Sequence, residues 1–137
     1  MKQTARALAL AGLMITAPAV ARGAGGPFDG TVPLLCAPTE VQECGTGTDC
    51  QRRTIEAVNL PAFIAIDFKA QSLSTADGRT RTAPIQRVER VDGRLILQGG
   101  QEGRAWSVVI AGDTGKLSAG VVDEHGAFVM FGSCTAR

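Results

Sequence analysis

Most of this chain repeats one pattern, in which a short run of alternating apolar and polar residues is followed by a turn signal. Asp-Gly and Gly-Gly pairs favour tight hairpin turns, because those turns need residues that tolerate positive φ angles. A spacing of about ten residues between turn signals suits consecutive antiparallel strands. The turn signals are Asp77-Gly78, Asp92-Gly93, Gly99-Gly100, Asp113-Thr114-Gly115 and Glu124-His125-Gly126.

The runs between the turns have the period of two that half-buried strands show. Trp106, Val108 and Ile110, for example, fall on one face of their run. Strands are predicted at residues 34–44, 50–58, 62–73, 83–91, 94–99, 104–111, 116–123 and 127–134. The pattern therefore predicts an all-β fold, a small antiparallel up-and-down barrel of about eight strands, with a two-sheet β-sandwich as the alternative. An interior of Val, Ile, Leu and a few Phe is compatible with a packed core and with a hollow one.

The first 21 residues have the layout of a secretory signal peptide. Lys2 and Arg6 give a positive start, residues 7–15 are apolar, and Ala19-Val20-Ala21 supplies small residues for cleavage. We predict a signal peptide at 1–21, a flexible Gly- and Pro-rich leader at 22–33 and a single β-barrel domain at 34–137. The expected location is periplasmic or secreted. No further apolar segment is long enough to span a membrane.

Charge argues against a nucleic-acid partner. Cleavage after Ala21 would remove two of the 14 basic residues and none of the 13 acidic ones, so the formal net charge changes from +1 to −1. Such a near-neutral surface has no broad field to attract nucleic acid or an acidic membrane. The one basic doublet, Arg52-Arg53, fits a solvated strand edge.

The exported part contains four cysteines, an even number that favours disulfides in an oxidising compartment. Of the three pairings, we favour Cys44–Cys50, which would clasp a turn-rich loop, together with Cys36–Cys134, which would tie the start of the domain to its end. The spacings do not give the short pairs that zinc sites use, and no Cys-x-x-Cys redox motif is present.

No catalytic residue, metal site or cofactor is predicted. The only histidine, His125, lies in a turn signal and is expected to face solvent, and Ser118 lacks the Gly-x-Ser-x-Gly context of a hydrolase nucleophile. Asp113, Asp123 and Glu124 offer at most a weak calcium site, if they crowd one rim of the barrel.

Arg104 and Trp106 are the candidate ligand-binding residues. They follow a Gly-rich loop, and strand alternation puts both side chains on the same face. We expect Arg104 to reach solvent at the rim of the barrel, with Trp106 largely buried beneath it. A ligand would then meet an aromatic plane and a fixed positive charge. The alternative is that Trp106 simply fills the core.

Three segments carry a resemblance to known proteins. At Leu95-Ile96-Leu97-Gln98-Gly99, Gly103-Arg104-Ala105-Trp106-Ser107 and Phe131-Gly132-Ser133-Cys134, the chain resembles a functionally unassigned group of small secreted proteobacterial β-barrel proteins. In layout it is also similar to bacterial inhibitors of C-type lysozyme, whose inhibitory loop uses a Ser-Gly-x-x-Tyr motif. This chain has no Tyr, so that likeness is architectural and carries no inhibitory residues with it.

The expected function is that of an exported, non-enzymatic binding or accessory protein, a monomer whose partner is a protein or a small ligand. The alternatives are an inhibitor of a cell-wall-degrading enzyme and a periplasmic small-ligand carrier. A carrier needs a hollow interior, an inhibitor needs a protruding loop, and an enzyme needs converging polar groups.

Overall fold

The structure, a computed structural model, describes residues 26–76 and 81–137. The predicted signal peptide at 1–21, the leader residues 22–25 and the turn predicted at Asp77-Gly78 lie outside them. The described residues form ten strands and no helix, which confirms the all-β prediction. None of these residues belongs to a helix long and apolar enough to cross a membrane. The strands are β1 (Leu34–Gly45), β2 (Gln51–Arg53), β3 (Ile64–Asp67), β4 (Ser72–Thr75), β5 (Thr82–Pro84), β6 (Arg87–Val91), β7 (Arg94–Gln101), β8 (Arg104–Ala111), β9 (Lys116–Val122) and β10 (Gly126–Ala136).

All of these strands belong to one antiparallel sheet, which curls into a barrel-like trough. The order is β5-β4-β3-β1-β10-β9-β8-β7-β6, and the short β2 pairs with β1 beside β3. Paired strands along this path are consecutive in the chain, with two exceptions. β2 comes between β1 and β3 in the sequence, and β1 pairs with β10. An up-and-down barrel has this order, as the sequence predicts.

The two ends of the path, β5 and β6, are consecutive in the chain. Between them, the Ile85 N–H donates to the Gln71 carbonyl at 2.8 Å, and the Gln86 N–H donates to the Gln98 carbonyl at 2.9 Å. The segment 82–91 is thus one bent strand that pairs with β4 in its first half and with β7 in its second. Counted in this way, and with β2 set aside, eight strands follow one another around the barrel.

The strand predicted at 50–58 is wrong beyond β2. Residues 55–59 form turns instead, because the Thr54 Oγ1 accepts a hydrogen bond from the Ala57 N–H at 3.2 Å and the Leu60 N–H donates to the Ile55 carbonyl at 3.0 Å. The apolar side chains of Ile55, Val58 and Leu60 pack against the core from this turn segment.

The strand predicted at 62–73 is wrong in another way, since it contains a complete hairpin turn. The Asp67 Oδ1 accepts the Ala70 N–H at 2.8 Å, and Gln71 closes the turn with a φ of 50°. The chain therefore reverses between β3 and β4 without a glycine.

Strand alternation sends one face of the curled sheet into a common core. The seven most deeply buried side chains come from β1, β3, β7 and β8 and are Leu34, Cys36, Val41, Ile66, Leu95, Leu97 and Ile110. Both expected disulfides are present, a finding consistent with an oxidising compartment. Cys36 and Cys134 face each other directly across the β1–β10 ladder, while Cys44–Cys50 clasps the loop between β1 and β2.

The described part of the predicted leader packs against one end of the barrel. Phe28 contacts the core, and its N–H donates to the Gly112 carbonyl at 3.3 Å. The Arg90 guanidinium donates to the carbonyls of Asp29 and Gly30, which holds the segment across this end. The hairpin turns β6–β7 and β8–β9 lie here. We call the opposite end, with the β7–β8 and β9–β10 turns and the loop 45–50, the open end.

Candidate functional site

Two arginines flank a depression of about 350 Å³ at the open end. Arg81 and Arg104 form the charged part of its surface, and the apolar part is formed by Val58, Leu60, Val121, Phe128 and Met130. We call this surface the rim depression. Among the described residues that line it, none is an aspartate or a glutamate.

Arg104 begins β8 directly after the turn at Glu102 and Gly103, whose φ angles are 54° and 76°. Its side chain is 60% exposed, so it reaches solvent at the rim. The Arg104 Nε donates to the Asp123 Oδ2 at 3.5 Å, a long ion pair between β8 and the β9–β10 turn. This contact steers the guanidinium but leaves both Nη groups without a partner in the part of the chain that the structure describes.

Asp123 is itself held by the turn that it starts. Its Oδ1 accepts the His125 N–H at 2.9 Å and the Gly126 N–H at 3.1 Å. The His125 hydrogen bond is the main reason that the pKa of Asp123 lies below its ordinary value of 3.8, and the Gly126 and Arg104 bonds lower it further. Asp123 is therefore ionised at neutral pH and keeps a negative partner beside Arg104.

Sequence reasoning missed Arg81, which directly precedes β5 on the other side of the rim depression. Its Nη2 donates to the Asn59 carbonyl at 3.0 Å, and its own carbonyl accepts the Thr75 N–H at 3.0 Å. Asn59 has a φ of 55°, a left-handed conformation that Asn tolerates better than most residues. The predicted hairpins contained the information needed to find Arg81. Alternate turns of an up-and-down barrel lie at the same end, and the predicted turns before Arg81 and Arg104 are separated by one other turn.

Trp106 lies inward from Arg104, as alternation predicts, and both residues line a second depression of about 450 Å³. Its ring is half-buried and lies over Gly99, the residue directly opposite on β7. A Cβ at Gly99 would overlap the indole ring and the Pro84 carbonyl, so the missing side chain makes room for the tryptophan. The Trp106 Nε1 is buried and has no acceptor among the described residues.

Beneath the rim is a cavity of about 170 Å³ that exposes no polar atom. We call it the apolar cavity. The surrounding side chains include Leu60, Ile66, Leu73, Trp106, Val108 and Met130. Leu60, Val121 and Met130 also line the rim depression, so the two spaces are adjacent.

The expectation that Asp113 meets Asp123 and Glu124 at one rim is wrong. Asp113 lies in the β8–β9 turn, and the seven residues of β9 carry the chain to the opposite end, about 20 Å away. His125 is exposed and contacts Glu124, with Nε2 3.3 Å from Oε1. No group of three His, Cys, Asp or Glu side chains in the described ranges is arranged to hold a metal ion. Ser118 is exposed on β9.

The site thus combines the apolar cavity, the indole ring of Trp106 and the two guanidinium groups of the rim depression. The apolar cavity is about as large as an engineered protein cavity of ~150 Å³ that binds benzene, so it can hold an apolar group of roughly six carbons. Comparison of the chain with protein-family models, curated proteins and solved structures finds no match.

Proposed function

We propose that this protein is a non-enzymatic binding protein that carries a small ligand, whose apolar part occupies the barrel interior, in the periplasm or outside the cell. The observation that supports this most is the apolar cavity of about 170 Å³ beneath the rim depression. The predicted signal peptide and the two disulfides support the location. No converging catalytic groups argue for an enzyme among the residues that the structure describes.

The size of the cavity is the physical reason to expect an occupant. Protein interiors are close-packed, with few voids larger than a water molecule. The apolar cavity, at about 170 Å³, is much larger than a water molecule. A ligand that fills the void restores the lost dispersion contacts of its lining, and without polar atoms the chamber favours a hydrocarbon group over water.

Trp106 provides a direct test, because it is the only tryptophan and the chain has no tyrosine. We expect 1-alkanols from butanol to octanol to change the Trp106 emission on titration. Each additional buried CH₂ contributes about 0.8 kcal/mol, so the affinity should rise roughly fourfold per carbon. The rise should level off near six carbons, when the cavity is full.

A cavity-filling variant supplies the matched comparison. Ala119 is buried and lines the apolar cavity, so Ala119→Leu should weaken 1-hexanol binding at least tenfold. Ala105 is exposed on β8, and Ala105→Leu adds the same atoms outside the cavity and should leave binding unchanged. Absence of any alkanol effect on emission, or wild-type affinity in Ala119→Leu, would refute the proposal.

A further inference from the structure

We propose that the ligand is a small anionic amphiphile, whose carboxylate or phosphate headgroup lies between Arg81 and Arg104 while its apolar chain enters the cavity. This inference rests on the proposed function and adds the chemical class of the ligand. The pairing of two cations with an apolar surface is the observation that leads to it.

One hydrogen bond orients each of the two guanidinium groups and leaves its other N–H donors without a partner among the described residues. A guanidinium has five N–H donors, and in the described part of the chain each of these arginines makes a single side-chain hydrogen bond. Arg81 is held by a neutral carbonyl and has no carboxylate partner there. Arg104 is held through its Nε, which leaves the two Nη groups for another acceptor. Each anchor reduces the freedom that the side chain would lose on binding, so less entropy opposes capture of an anion.

The lining of the rim depression also favours an anion. Arg81 and Arg104 together line the rim depression and the second depression beside Trp106. The rim depression has no carboxylate in its described lining. Glu102 lines the second depression, and the Asp123 carboxylate stands 3.5 Å from the Arg104 Nε in the neighbouring turn. Arginine binds carboxylates and phosphates well because its planar fork can donate two parallel hydrogen bonds.

Polarity changes in one direction from the rim to the interior. The arginines lie at the outside, Val121 and Met130 border both spaces, and the apolar cavity follows without an exposed polar atom. A molecule with one anionic end and one hydrocarbon end matches this order, whereas a neutral hydrocarbon would leave both guanidinium groups unused. A ligand charged along its whole length would place charge in an apolar chamber, which is costly.

The test compares octanoate with 1-octanol, which share a chain length and differ in the headgroup, by titration of Trp106 emission at pH 7. We expect octanoate to bind at least tenfold more tightly, and the difference to shrink in 0.5 M NaCl because salt screens exposed charges. In the double variant Arg81→Gln/Arg104→Gln, the preference should fall below threefold while octanol binding is retained. Arg94→Gln is the matched control, since Arg94 is exposed at the other end of the barrel and likewise bonds a backbone carbonyl.

The outcomes separate this inference from the proposed function. If octanol binds and octanoate has no advantage, the headgroup assignment is overturned and the apolar carrier remains. If the advantage persists in the double variant, the anion is held elsewhere and the assignment is also overturned. If neither compound binds, the proposed function itself fails. Octyl phosphate in the same titration identifies the headgroup, and a preference over octanoate that is lost in the double variant supports a phosphate.

Discussion

Gly99 shows how one absent side chain shapes the candidate site. It lies opposite Trp106 on the β7–β8 ladder, where a Cβ would collide with the indole ring and the Pro84 carbonyl. We expect Gly99→Ala to lower the free energy of unfolding by about 1–3 kcal/mol, as overpacked cores do, and to shift the Trp106 emission. Urea titration followed by fluorescence measures both effects.

Gly120 provides the control for this substitution. A Cβ at Gly120 would meet no atom within 4 Å, and this glycine has no left-handed φ. Gly120→Ala should therefore leave the protein as stable as before, or more stable by about 0.4–1 kcal/mol, because alanine reduces the entropy of the unfolded chain. Equal losses in the two variants would show that the indole does not depend on the space at Gly99.

Asp123 should make stability depend on pH in the acid range. Its hydrogen bonds from His125 and Gly126 and its contact with Arg104 lower its pKa in the folded protein below 3.8. A lowered carboxyl pKa adds stability above the unfolded value, and that contribution disappears as the pH falls through the folded pKa. We expect Asp123→Asn to be less stable than wild type at pH 7 and the difference to shrink steadily below about pH 4.

Urea titrations between pH 7 and pH 2.5 would measure this convergence. Asp113→Asn is the control, since Asp113 is exposed in the β8–β9 turn and accepts no side-chain hydrogen bond among the described residues. If the Asp123→Asn curve stays parallel to that of wild type throughout this range, the carboxylate has no such role.

At the scale of elements, the two disulfides should contribute unequally. Cys36 and Cys134 are 98 residues apart, whereas Cys44 and Cys50 are 6 apart. The loss of loop-closure entropy in the unfolded chain grows with the logarithm of this separation, so the long loop should contribute about 2 kcal/mol more. Denaturant titration of the paired variants Cys36→Ala/Cys134→Ala and Cys44→Ala/Cys50→Ala measures the difference. The reverse order would mean that strain in the folded state dominates.

The elements found from the sequence are those whose turns contain glycine. The predicted hairpin turn at Asp92-Gly93 is present and uses positive φ angles. The turn predicted at Gly99-Gly100 is wrong, because both glycines lie inside β7 and the chain reverses at Glu102-Gly103, where both φ angles are positive. The β3–β4 turn was missed because Gln71 adopts its positive φ of 50° without being a residue that signals it. Propensity cannot show this, since hydrogen bonds to neighbouring residues impose the conformation.

The sequence pattern predicted one strand of the candidate site and missed the parts that depend on contacts between strands. Alternation within one strand was enough to place Arg104 and Trp106 on one face. Arg81 directly precedes β5, and its place at the rim depends on which turns share an end of the barrel and on a hydrogen bond to Asn59. The apolar cavity depends on side-chain volumes summed over seven strands and the turn before Pro61, which no local pattern contains.

At the scale of the whole molecule, the barrel has one closed end and one open end. Phe28 packs on the core at the closed end and is only partly buried. We expect Phe28→Ala to cost about 2 kcal/mol, less than for a fully buried phenylalanine, and to leave alkanol binding at the open end unchanged. Val32→Ala is the control in the same segment, where the side chain is 40% exposed. A stability loss no larger than that of Val32→Ala would show that residues 26–31 do not close this end.

The pairing of β1 with β10 affects the order in which strands pair and disulfides form as the chain folds. A chain synthesised from its amino end presents β1 before every other described strand and β10 after all of them. During that interval the long edge of β1 is unpaired, and such an edge can recruit other chains. Cys44 can already find Cys50 six residues away, whereas Cys36 must wait for Cys134. We therefore expect the Cys44–Cys50 disulfide to form before Cys36–Cys134, which can form only once β10 has paired with β1.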